Sequence, residues 1–105
     1  MQTMIAPDET IFNLPTRDEA LAAAYRQLAL LFRPDELVWI AAETFDTALV
    51  WRIDVVRQGA GGRWVRQRYR YDGQAEVIYY IGERSLSDDE FRSARSAGRP
   101  FERPA

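Results

Sequence analysis

Along the chain the apolar positions change period. From Arg17 to Arg33 they recur at helical spacing, and from Glu36 to Gly82 they fall into short runs rich in β-branched and aromatic residues. Thr16 with Glu19 three residues later forms the capping-box pattern, in which each side chain meets a free backbone amide, so a helix is expected over about 17–33. Leu21, Ala24, Tyr25, Leu28, Leu31 and Phe32 share one stripe that should bury against a sheet. Leu30 points the other way. Pro34 disfavours helical geometry at Arg33 and ends the element.

Four strands are expected in "ELVWIAAE", "TALVWRIDVVR", "RWVRQRYRY" and "AEVIYYIG". The intervening "TFD", "QGAGG" and "DG" are short enough for hairpins, which predicts an antiparallel meander. A second helix starts at Ser87, with Glu90 completing another capping box, Leu86 and Phe91 placed as a hydrophobic staple, and Gly98 as its stop. The expected fold class is therefore α+β: an N-terminal helix packed on a four-stranded antiparallel β-meander, then a short C-terminal helix. The whole chain, 1–105, reads as one domain, with 1–9 and 99–105 as flexible tails unless Phe101 docks, and with a short extra strand at "TIFNL". In outline this order resembles several antiparallel-sheet folds, cystatin-like and secretion-chaperone-like ones among them, and no motif selects one.

Register decides which side chains share a face, because a slip of one residue exchanges the faces. A three-residue loop at Tyr71, Asp72 and Gly73, with Gly73 left-handed, separates polar from apolar better than a two-residue turn does. With that register the core face carries Leu49, Trp51, Ile53, Val55, Val65, Tyr69, Tyr71, Val77, Tyr79 and Ile81. The opposite face carries Val50, Arg52, Asp54, Val56, Trp64, Arg66, Arg68, Arg70, Glu76, Ile78 and Tyr80, with Asp54 facing Arg66 and Glu76 facing Arg68. Arg52, Trp64, Arg66, Arg68, Arg70, Ile78 and Tyr80 form the candidate interaction face. The first strand, "LVWIA", is apolar on both faces and would lie at an edge, to be covered by the second helix, by an added strand from "TIFNL" or by the same strand of a second copy.

Composition narrows the chemistry. All 14 basic residues are arginine, and lysine, histidine and cysteine are absent. That removes thiolate and imidazole chemistry, Schiff bases and a P-loop lysine. "GAGG" precedes a strand rather than a helix, "SDDE" reads as a helix cap, Glu43 and Asp46 flank a turn, and no serine has a base to activate it. No catalytic, cofactor or metal site is therefore expected.

A net charge of −2 lacks the basic excess that drives phosphate binding. The leading expectation is a small non-enzymatic interaction domain that self-associates or binds another protein through the sheet, a homodimer among the arrangements. The alternative is single-stranded nucleic acid binding with bases stacked on Trp64 and Tyr80. A ligand or enzymatic cavity between helix and sheet, lined by Tyr69, Tyr71, Tyr79 and Gln67, ranks last. The first residues lack the pattern of a signal peptide, and "ALAAAYRQLALLF" is too short and too polar for a membrane span, so a cytoplasmic, bacterial protein is expected.

Overall fold

A computed structural model of the chain describes residues 14–104. Helix α1, Arg17–Leu31, starts at the expected capping box, where Thr16 accepts from the Glu19 amide and the Glu19 carboxylate accepts from the Thr16 amide. Four antiparallel strands follow: β1, Trp39–Asp46; β2, Val50–Gln58; β3, Trp64–Asp72; and β4, Val77–Ser85. Helix α2, Asp88–Ala97, carries the second capping box, between Ser87 and Glu90. A two-residue strand β5, Arg99–Pro100, then closes a sheet of order β4-β3-β2-β1-β5. This is the α+β meander the pattern predicts. "TIFNL" and the tail at 1–9 lie outside the described residues, apart from Leu14.

Helix α1 packs on the odd-numbered face of β2 and β3. Ala20, Ala24, Leu28 and Phe32 are buried there with Trp51, Ile53, Val55, Tyr69 and Tyr71. The buried stripe is centred one position from the expected one. Leu21 and Tyr25 pack at its margin, and Leu31 is 48% exposed, because the helix stops at Leu31 and the chain swings Phe32 inward at an extended C-cap. Leu30 faces solvent as anticipated.

The tail after α2 docks instead of fraying. β5 pairs with Trp39 and Ile40, the Phe101 amide donates to the Val38 carbonyl, and the Phe101 ring packs against Phe32 and Tyr25 at 5.4 Å each. Arg103 donates to the carbonyl of Ala29 in the last turn of α1 and to those of Arg33 and Pro34 just beyond it, tying the tail to the end of the helix. Gly98 adopts extended geometry rather than a left-handed cap. It must be glycine because a Cβ there would overlap the Ile40 carbonyl oxygen as the tail turns onto β1.

The β3–β4 hairpin corrects the expected register. Tyr71 pairs with Ile78 and Tyr69 with Tyr80, so odd meets even. The Asp72 side chain accepts from the Gln74 and Ala75 amides, and the left-handed residue is Glu76, at φ 57°. Gly73 serves a different purpose, since its amide donates to the Leu49 carbonyl and a Cβ would stand 2.7 Å from that oxygen. Ile78 and Tyr80 thus lie on the α1 side, Ile78 against the core and Tyr80 with its ring 5.6 Å from Tyr69. Val77 and Tyr79 move to the arginine face. A bulge at Ile81 restores pairing between residues of like parity from Gly82 onward. Leu49, expected as a core residue of β2, instead forms the preceding turn at φ 60°.

Candidate functional site: the arginine face of the sheet

The face opposite α1 is built in cross-strand rows. Thr44, Arg52, Arg70 and Tyr79 form one row; Ala42, Asp54, Arg68 and Gly82 form the next; Val56, Arg66 and Arg84 form a third. Helix α2 covers the far end. Trp64 stacks on Phe91 with centroids 4.1 Å apart and planes 17° from parallel, Trp39 meets both rings edge-on, and the Arg95 guanidinium lies 4.7 Å over Trp39. Trp64 is therefore an anchor for α2 rather than an exposed contact residue. Arg52, Arg68 and Arg70 remain exposed.

Asp54 is 3% exposed and is the buried charged residue of the described core. Arg68 Nε donates to its Oδ1 at 2.9 Å and Arg68 NH2 to its Oδ2 at 3.1 Å, while Arg66 Nε donates to Oδ2 at 2.9 Å. Burial alone would raise the Asp54 pKa, but the hydrogen bonds and charges of Arg68 and Arg66 outweigh it and hold the carboxyl below its ordinary value. Asp54 sits opposite Arg68 rather than Arg66, because the β2–β3 pairing is offset by two residues from the expected one, with parity kept. The expected Glu76 to Arg68 pair does not form, since Glu76 is in the turn.

Arg84 is held by Glu90 at 2.7 Å, and the Ser87 amide together with Arg84 draws the Glu90 pKa down to about 2. Beside Asp54 a shallow groove of about 400 Å³ runs between Arg66, Arg68, Ile81, Glu83 and Arg84. On the α1 side a second polar cluster joins Glu43 to Tyr25 and Arg99, and burial together with Glu43 pushes the Tyr25 phenol upward. Arg57 grips Glu36 through two hydrogen bonds and lies 4.6 Å over the Phe32 ring. These networks hold strands, helix and tail together. Glu43 is thereby occupied, and Asp46 bonds the Thr47 amide in its turn.

Of the seven residues of the candidate face, the structure gathers Arg52, Arg66, Arg68 and Arg70 as expected. It sets Trp64 under α2 and turns Ile78 and Tyr80 to the α1 side, replacing them with Val77, Tyr79 and Ile81. The two aromatics proposed as a base-stacking platform do not share an open surface. The tyrosine-lined cavity likewise does not assemble: Tyr69 and Tyr71 are core residues, Gln67 bonds Tyr69 and Glu83, and Tyr79 is on the opposite face. Among the described residues there is no group of acidic side chains placed to hold a metal, and no helix is long and apolar enough to cross a membrane. Neither a family model, nor a curated protein, nor a solved structure matches the chain.

Proposed function

We propose that this protein is a non-enzymatic interaction domain that pairs with a second copy of itself along the free edge of the sheet. The observation that carries this reading is β4: a nine-residue edge strand with Val77, Tyr79, Tyr80 and Ile81 each 39–54% exposed. An exposed apolar edge is a template for strand addition. β1, the edge first suspected, is partly closed by β5 and the docked tail. An edge strand meeting its own two-fold mate pairs antiparallel, which makes the contact self-complementary and closed.

Light scattering on the purified protein tests the reading. The expected mass is that of two chains, falling to one in the Val77→Lys/Ile81→Lys variant with its far-UV circular dichroism unchanged. A wild-type protein that stays monomeric at high concentration, or a variant that still dimerises, rejects it.

A further inference from the structure

Arg52 and Arg70 face each other directly across β2 and β3. Like charges in that relation destabilise a sheet. Both side chains are exposed, and neither has an ion-pair partner among the described residues. One row away, the same face shows what two neighbouring arginines do when a carboxylate is available: Arg66 and Arg68 hold Asp54 between them. Position 52 is two residues before Asp54 on β2, as Arg70 is two residues after Arg68 on β3. Where Arg70 could have met a carboxylate across the strands, it meets a second guanidinium.

From this geometry we infer that Arg52 and Arg70, with Arg68 beside them, are a docking site for an acidic segment of a partner protein, one of whose carboxylates takes the place Asp54 takes in the next row. Arg70 is already positioned for this, with its guanidinium 4.9 Å over the Tyr79 ring. Asp54 is taken by Arg66 and Arg68, and in the row on the other side of Arg52 and Arg70 the carboxylates of Asp46 and Asp72 each bond turn amides. An acidic peptide would meet bidentate, charge-assisted donors with Val77, Tyr79 and Ile81 alongside for its apolar residues. A protein segment fits better than nucleic acid because no open aromatic pair is left on this face to stack bases.

The test uses fluorescence anisotropy with a labelled oligoglutamate peptide, a labelled oligothymidylate as competitor, and three variants. Wild type should bind the peptide with an affinity that falls with salt, and Arg70→Ala should weaken it about tenfold, the worth of one charged hydrogen bond. Arg63→Ala, in the loop before β3, should leave it unchanged. Arg52→Asp is the diagnostic variant, because it supplies the missing carboxylate from within. It should abolish peptide binding and at the same time raise the melting temperature, so that the loss of binding cannot come from loss of the fold. The inference fails if wild type does not bind the peptide, if Arg52→Asp binds as wild type does, or if oligothymidylate binds more tightly through the same arginines. The β4 edge is untouched by Arg52→Asp, so the oligomer mass of that variant tests the edge pairing separately.

Discussion

Replacing Asp54 with asparagine removes a charge without removing volume, and puts an amide NH2 donor in place of one of the two oxygens that accept from guanidiniums able only to donate. In the native protein Arg66 and Arg68 each hold this carboxylate at about hydrogen-bond distance, 2.8–3.1 Å. A hydrogen bond to a charged group contributes roughly 1.5–3 kcal/mol net. The arginines would not be stranded, however, since their side chains are 30% and 52% exposed and water can take over part of the solvation. After that discount the loss should be about 2–3 kcal/mol, well above the ~0–1 kcal/mol of an exposed pair and below the ~3–5 kcal/mol of a fully buried one. In a domain of this size that lowers the melting temperature by roughly 10–20 °C. Urea unfolding followed by tryptophan fluorescence measures it, with the m-value expected to stay constant.

The pH dependence gives the same test a second arm. The native Asp54 pKa lies below its unfolded value, so its contribution is complete above the ordinary aspartate range and is lost as pH falls through the depressed native value. The gap between wild type and Asp54→Asn should therefore be constant near neutrality and narrow in acid. A loss under about 0.5 kcal/mol, or a gap indifferent to acid, would show that the two-arginine clasp behaves as an ordinary surface pair.

Two further expectations concern the docked tail. Phe101→Ala removes a half-buried ring from between Phe32 and Tyr25 and should cost about 2 kcal/mol in the same urea titration, below the 3–5 kcal/mol of a fully buried phenylalanine. A neutral result would mean that the tail contributes nothing to the fold. Gly98→Ala drives a methyl group into the Ile40 carbonyl and to 2.9 Å from the Ala94 carbonyl, so β5 must separate from β1. Hydrogen exchange should then show the Phe101 amide, normally bonded to Val38, losing its protection while the amides of β2 and β3 keep theirs.

Both helix starts were legible in the sequence because a capping box is a local device, complete within four residues: Thr16 with Glu19 and Ser87 with Glu90 behave as the spacing implies. The identity of four strands, and the parity that separates Trp51, Ile53, Val55, Tyr69 and Tyr71 from Arg52, Arg66, Arg68 and Arg70, were equally legible, since alternation belongs to each strand alone. The membership of the arginine face on β4 was not. It depended on how Asp72, Gly73 and Glu76 divide the work of the turn, and Gly73 was committed by its approach to Leu49, more than 20 residues earlier in the chain.

Sequence alone thus determined which segments are helical or extended and which residues of β2 and β3 oppose the core, because hydrophobic period and capping chemistry act over a few neighbours. Tertiary structure alone decided that Ile78 and Tyr80 face α1, that α2 covers Trp64, that the tail closes β1, and that Arg52 stands against Arg70 while Asp54 serves two arginines. Each of these is a contact between segments distant along the chain. Their registers differ by one or two residues, and only the fit of side chains and carbonyls across the assembled sheet distinguishes them.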